Sequence, residues 1–197
     1  MSSVFADPPL TPKAQATRAR LLEVAAEVFV ERGYAAVSLR DIAVAAGVTK
    51  GAIYGHFRSK GQLLVEVIRA QLAERDAQFD VQAAIEQPIE VFYQFINPDS
   101  RHLRLLQIDA AAAARHDPDV AAGVAEIFSA RNAWILDTLR RLDASEVLLY
   151  VVNALSAGVG VQEAHGRPSP DPELWSKTLA QMFGVAESAG GLSRGSP

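Results

Sequence analysis

The chain has 197 residues, which is the size of one ordinary domain or of two small packed units. Hydrophobic residues make up 49% and charged residues 21%, a composition typical of a folded globular protein. Because there is no cysteine, disulfide scaffolds, thiolate metal sites and cysteine nucleophiles are excluded. No segment resembles a secretory signal, and the longest apolar run, 147–161, is shorter than the roughly 20 residues of a membrane span. We therefore expect a cytoplasmic location.

The net charge of −4 is unevenly distributed along the chain. The first 60 residues contain eight Lys or Arg against five Asp or Glu, whereas the remainder contains eleven against eighteen. A basic end on an acidic protein is a reason to look for a polyanionic partner there. A solvated helix face could produce the same excess, so the charge alone does not establish a partner.

Helix-start patterns occur along the whole chain and almost no segment reads as a strand, so the predicted fold class is all-α with about nine helices. The first four helices are predicted from N-cap and capping-box patterns at Thr11-Pro12, Ser38–Asp41, Thr49 and Ser59–Gln62. Later helices are predicted over 88–97, 100–116, 118–142 and 146–165, and from Asp171 to a point before Gly190.

Residues 38–57 carry the most informative pattern. Two short helices, each too brief to be stable alone, are joined by Gly47-Val48-Thr49, which is the signature of a helix-turn-helix. In that motif the first helix crosses the DNA backbone and the second lies in the major groove. The second helix contains two glycines, which weaken a helix but let its backbone approach DNA closely.

A longer pattern surrounds this motif. It includes Thr17-Arg18, Leu21-Leu22, Ala25-Ala26, Phe29, Gly33-Tyr34, Ser38-Leu39, Ile42-Ala43, Ala46-Gly47-Val48-Thr49, Gly51, Ile53-Tyr54, His56-Phe57, Ser59-Lys60 and Leu63. The pattern resembles the DNA-binding domain of the tetracycline-repressor (TetR) family, and it covers about a quarter of the chain. The rest agrees with that family only in helical character and length.

The resemblance implies an N-terminal three-helix helix-turn-helix DNA-binding domain, placed at 13–58. It also implies a larger helical ligand-binding and dimerisation domain, placed at 59–189. We expect flexible ends at 1–12 and 190–197, and no basic arm in the minor groove, because 1–12 contains no Lys or Arg.

Carried over position by position, the resemblance also implies the DNA contacts. Phosphates would be contacted by Thr17, Ser38, Arg40, Tyr54, His56 and Lys60. Base edges would be faced by Thr49, Lys50, Gly51 and Ala52, with Lys50 reading guanine and Ala52 meeting a thymine methyl. As alternatives to a DNA contact, Tyr54 would be a half-buried side chain that acts as a lid, and His56 would form structural hydrogen bonds. We expect Ile42, Ala43, Ile53 and Phe57 to be core residues.

A ligand pocket is predicted among the helices that follow. Apolar pockets with a few polar groups are typical of small-molecule sites. The candidate lining residues are Phe92, Phe95, Arg104, Gln107, Phe128, Asn132, Trp134 and Asn153. A satisfied polar group in the core is the alternative for Gln107, Asn132 and Asn153. The scarcity of cations at apolar positions, with Arg104 as the main exception, disfavours a strongly anionic ligand, and nothing names the compound.

A single recognition helix reads only a few base pairs, so such proteins normally bind palindromes as symmetric dimers. The last two predicted helices are the candidate interface, because 147–161 is apolar on nearly every side and rich in small residues. The resemblance implies a four-helix bundle made of these two helices from each chain. The alternative is that both helices complete the core of one monomer.

The leading hypothesis is a DNA-binding transcriptional regulator, a repressor released from a palindromic operator when a small, largely apolar molecule binds. The alternative is a constitutive dimeric regulator without a ligand, and the sequence does not distinguish repression from activation. An enzyme is not expected, because nucleophile-elbow, phosphate-loop and dinucleotide motifs are absent from the sequence. No cofactor or metal is predicted, since the four histidines lack metal-ligand spacing.

Overall fold

The computed structural model describes residues 11–78, 96–141, 145–169 and 171–183, with positions 141, 148, 182 and 183 described by backbone alone. Within these ranges the chain forms eight α-helices and no strand, which confirms the all-α prediction. The helices are α1 (Pro12–Arg32), α2 (Leu39–Ala45), α3 (Lys50–His56), α4 (Lys60–Ala77), α5 (Arg101–Ala113), α6 (Pro118–Arg141), α7 (Val147–Ala164) and α8 (Pro172–Phe183). The two expected flexible ends, apart from positions 11 and 12, and positions 88–95 of the helix predicted over 88–97 lie outside the described residues. Positions 96 and 97 are described and are not helical.

The predicted caps of the first four helices are present. Ser38 and Asp41 form a reciprocal capping box at the start of α2, and the side chains of Thr11 and Thr49 accept bonds from the first turns of α1 and α3. At α4 the Ser59 hydroxyl accepts from the Gln62 N–H at 3.0 Å. In the predicted capping box, the Gln62 side chain would accept from the N–H of Ser59. It accepts instead from the Arg58 N–H, one residue earlier, at 2.7 Å.

One hydrophobic core extends through α1–α6. Its buried members come from the helix-turn-helix segment, from α4 and from the later helices, and they include Leu21, Phe29, Ile42, Ile53, Phe57, Leu64, Ile68, Leu103, Leu106, Val120 and Ile127. Helix α4 contacts α1, α5 and α6. The packing is therefore continuous across the domain boundary predicted between residues 58 and 59. That the two sides of this boundary have different functions, DNA binding and ligand binding, stays a prediction.

Two glycines allow α4 and α6 to approach each other closely. A Cβ added to Gly123 on α6 would lie 2.6 Å from Val65 Cγ1 on α4. A Cβ added to Gly61 on α4 would lie 2.7 Å from Asp117 Oδ2 and 2.8 Å from Val120 Cγ2. Each of these glycines thus faces side chains from the other segment, and a larger residue at either position would require those side chains to shift.

A buried ion pair joins α5 to α7. Arg104 Nε donates to Glu163 Oε2 at 2.9 Å and Arg104 Nη2 donates to Glu163 Oε1 at 2.5 Å, while the side chains are 2% and 1% exposed. Arg104 Nη1 also donates to the Asn97 carbonyl at 2.8 Å, and the Ser169 hydroxyl donates to Glu163 at 2.6 Å. This network connects α5, α7 and the segments before α5 and after α7.

Substituting Gly123 by Ala tests the close crossing of α4 and α6. Because the new Cβ would overlap the Val65 side chain, we expect the free energy of unfolding to fall by about 1–3 kcal/mol in urea titrations. Gly55→Ala is the matched control, because nothing lies within 4 Å of a Cβ at Gly55 and alanine favours a helix. Equal stability of the two variants would contradict the described crossing.

The stability contributed by Glu163 should depend on pH. Burial acts to raise the pKa of Glu163, but hydrogen bonds from Arg104 and Ser169 and the charge of Arg104 outweigh it, so the pKa lies below its ordinary 4.5. A lowered folded-state pKa means that the contribution is complete above 4.5 and is lost as the pH falls through the folded-state value. At neutral pH, Glu163→Gln should cost about 3 kcal/mol, because it leaves Arg104 buried without a counter-charge.

The matched control is Glu146→Gln, which removes one charge from the exposed Arg140–Glu146 pair at 2.7 Å. Its effect on the free energy of unfolding should stay below about 1 kcal/mol. The difference between wild type and Glu163→Gln should shrink as the pH falls below 4.5, and a difference that stays constant down to pH 2 would contradict the assignment.

Candidate nucleic-acid interface

The helix-turn-helix is fixed by burial of the inner faces of two short helices. Ile42, Ala43, Ile53 and Phe57 are all buried, as predicted. Between the helices, Gly47 has a φ of 68°, a conformation that side chains larger than hydrogen disfavour, which explains the glycine at the turn. Since α2 and α3 each contain seven residues, their shape depends on this shared packing.

The outer face of α3 is exposed and carries a cation beside an aromatic ring. Thr49, Lys50, Gly51 and Tyr54 are exposed, with Tyr54 at 49%, and Lys50 Nζ lies 5.7 Å from the centre of the Tyr54 ring. Ala52 and His56 are partly buried, and the His56 ring lies 6.3 Å from the Phe57 ring. The structure thus places the four predicted base-facing positions together at the start of one helix.

Four of the predicted phosphate contacts lie outside this helix: Thr17 on α1, Ser38 and Arg40 at the start of α2, and Lys60 at the start of α4. Arg40 is exposed on α2, and Thr17 on α1 donates its hydroxyl to the Lys13 carbonyl at 3.0 Å. The Ser38 hydroxyl donates to Asp41 at 2.6 Å, and this bond, with that of the Ser38 N–H, keeps the pKa of the Asp41 carboxyl below its ordinary value. A groove of about 330 Å³ runs between the starts of α2 and α4, lined by Val37, Ser38, Leu39, Tyr54, Arg58, Ser59 and Lys60.

Lys60, the remaining predicted phosphate contact, is turned toward the protein. Its Nζ donates to the Tyr34 carbonyl at 2.8 Å and lies 4.2 Å from the centre of the Tyr34 ring. Burial lowers the pKa of Lys60, while the carboxylates of Asp109 and Asp117 oppose that effect. The sequence pattern held no signal of this contact, because the two partners are 26 residues apart.

Residues without a predicted role connect α1 to α4 beside the ring of Phe57, the residue that directly follows α3. Arg18 Nη2 and Glu66 Oε2 are 2.5 Å apart, and the Arg18 guanidinium lies 5.4 Å from the centre of the Phe57 ring. Glu66 also pairs with Arg69, which reaches Glu126 on α6 at 3.4 Å. This chain of charges runs from α1 through α4 to α6 along the side of the core.

The predicted ligand residues that the structure describes differ in exposure. Phe92 and Phe95 lie outside the described residues. Arg104 is engaged by Glu163, Asn153 is exposed on α7 and Trp134 is 40% exposed on α6. Gln107, Phe128 and Asn132 are partly buried, and the buried Asn132 Oδ1 has no hydrogen-bond partner among the described residues.

One face of α7 is exposed and apolar. Its exposed members recur at alternating spacings of three and four residues, and they are Val147, Tyr150, Ala154, Ala157 and Val161. Tyr150 is 81% exposed, and Leu174 on α8 is 63% exposed. Large apolar side chains in such a stripe are typical of a helix that packs against a partner helix.

Within the described ranges, we find no group of three His, Asp or Glu residues that could hold a metal ion. No helix in that part of the chain combines the length and the apolar character needed to cross a membrane.

Comparison with known sequences places this architecture among regulators. The family profile described as "Bacterial regulatory proteins, tetR family" matches residues 21–67. The transcriptional activator FasR of Mycolicibacterium smegmatis is 31% identical over 153 residues, which are 72% of this chain and 68% of FasR. The transcriptional repressor KstR2 of the same organism is 47% identical over 62 residues, which are 31% of this chain and 30% of KstR2.

The fold is similar to that of solved regulators. A TetR-family transcriptional regulator from Rhodococcus superimposes with a TM-score of 0.66 at 18% identity, and the match covers 88% of this chain and all of that structure. At this level of identity the likeness concerns the fold alone.

Proposed function

The chain belongs to the TetR family of bacterial transcriptional regulators, and from this premise we propose that it binds a palindromic operator as a homodimer and leaves it when a small molecule binds the C-terminal helices. The glycines of α3 are the observation that carries this proposal. Gly55 has nothing within 4 Å of an added Cβ, and Gly51 has only Thr49 Oγ1, at 3.9 Å.

Each of these glycines costs about 1 kcal/mol relative to alanine in a helix, and no contact with the described residues requires either one. A surface approached closely from outside does account for them. In the proposed complex α3 lies in the major groove, where Thr49, Lys50, Gly51 and Ala52 face base edges. Thr17, Ser38, Arg40, Tyr54 and His56 then lie near phosphates.

The apolar stripe on α7 supports the dimeric arrangement. Val147 and Tyr150 at one end, and Leu174 on α8, are exposed without a covering element among the described residues. A second copy of the same two helices would cover them in a four-helix bundle around a two-fold axis. That axis would set the two copies of α3 about one DNA turn, 34–36 Å, apart.

A ligand site between α5, α6 and α7 is supported by partly buried polar groups. Gln107 on α5 and Asn132 on α6 are partly buried, and Asn132 presents a buried acceptor. The proposed ligand is small and largely apolar, and it must bind the released conformation more tightly than the DNA-bound one. Of the relatives, KstR2 is a repressor and FasR is an activator of transcription. For this chain we propose repression.

Lys50→Ala tests the proposed guanine contact. The variant should lose about 1–3 kcal/mol of operator affinity and relax the base preference at one position of each half-site. The operator is obtained by selecting bound molecules from random DNA, and the preferences of the two proteins are compared by sequencing. Arg115→Ala, which removes an exposed cation from the turn after α5, is the matched control and should leave the preferences unchanged. Identical preferences for wild type and Lys50→Ala would remove Lys50 from the base contacts.

Native mass spectrometry of the freshly purified protein tests the dimer. We expect a species of twice the 21.1 kDa chain mass, and any small mass carried with it would give the mass of a bound ligand. Tyr150→Glu should yield monomers, because it buries two carboxylates in the apolar seam. Ala122→Glu, at an exposed position of α6, should remain dimeric. A monomeric wild type, or a dimeric Tyr150→Glu, would contradict the proposed interface.

A further inference from the structure

The turn between α1 and α2 is held by charged side chains from two later helices. The 3₁₀ turn Tyr34–Ala36 leads through Val37 into the Ser38 cap of α2. The Tyr34 N–H donates to Asp109 Oδ2 on α5 at 2.8 Å, and the Tyr34 carbonyl accepts from Lys60 Nζ on α4 at 2.8 Å. The two backbone polar groups of Tyr34 thus bind an anion and a cation from different helices.

The surroundings of this turn are densely packed. The Tyr34 ring lies over Lys60 Nζ and beside the Phe29 ring, whose centre is 5.5 Å away. Asp117, at the start of α6, approaches so closely that a Cβ added at position 61 would lie 2.7 Å from its Oδ2. Bonds to charged groups in such a partly desolvated place are stronger than those between neutral groups.

We infer that Asp109 and Lys60 are positioning residues for operator recognition, which fix the Tyr34–Ala36 turn, and with it α2 and α3, to the C-terminal helices. The inference rests on the proposed function, since it requires a DNA target. Lys60 then acts through the protein and not through a phosphate, which replaces the role that the family resemblance implies for it.

The position of Asp109 connects this turn to the proposed ligand site. Asp109 lies two residues after Gln107 on α5, and the same helix is bound at its other end to α7 through Arg104 and Glu163. A ligand that shifts α5 would therefore move the carboxylate that holds the turn. The recognition helix α3 would follow through α2, which begins three residues after the turn ends.

The experiment measures operator affinity at several salt concentrations, using DNA selected with the wild-type protein. Asp109→Ala should bind about tenfold more weakly, the loss expected for one hydrogen bond to a charged group, with an unchanged salt slope. Asp109→Asn should recover most of the affinity, because its amide oxygen can still accept from the Tyr34 N–H. Lys60→Met should also bind more weakly at an unchanged slope. A phosphate contact would instead reduce the slope by about 0.9 per Lys60.

Asp99→Ala is the matched control, since Asp99 is an exposed carboxylate on the turn before α5. It should bind like the wild type. Wild-type affinity for Asp109→Ala, no recovery for Asp109→Asn, or a reduced slope for Lys60→Met would each overturn the inference. If circular dichroism shows that Asp109→Ala is unfolded, the slope of Lys60→Met decides. A wild type that selects no DNA overturns the proposed function itself, and the inference with it.

Discussion

The burial of α4 on several sides is the constraint on which the rest of this structure depends. Its buried positions follow one another almost without interruption, and they are Gly61, Leu63, Leu64, Val65, Val67, Ile68 and Leu72. Helix α1 packs against it, and so do α5 and α6. Because protein interiors are close-packed, α4 cannot shift against one set of neighbours without disturbing the other. The helix-turn-helix is therefore continuous with the C-terminal helices.

A regulator of this kind needs both fixed and uncovered surfaces. The fixed surfaces are those where glycine allows close approach, as at Gly123, or where charges pair in the core, as at Arg104 and Glu163. The uncovered surfaces are the outer face of α3 and the stripe on α7. Each contains residues whose presence the monomer does not explain. The proposed DNA would cover the exposed residues of α3, and the proposed second chain would cover those of α7. In both cases the explanation is the burial of otherwise exposed groups.

Local features of this fold were predictable from the sequence, and long-range pairings were not. The Ser38–Asp41 box and the buried positions Ile42 and Ile53 followed from spacing, because caps and helix faces depend on residues three or four apart. The pairing of Arg104 with Glu163, 59 residues away, has no such local signal. The contact between Tyr34 and Asp109 spans 75 residues. Such pairs are set by how the helices cross, and no local pattern encodes that crossing.

Native-state hydrogen exchange, followed helix by helix in increasing denaturant, tests most directly whether the DNA-binding helices and the C-terminal helices share one core. Amides in cooperative units exchange with a common opening free energy. The slowest amides of α1, α4 and α5 should therefore merge into one unfolding transition. A lower opening free energy for α1–α3, with α4–α7 still protected, would show that the motif opens independently and would contradict a shared core.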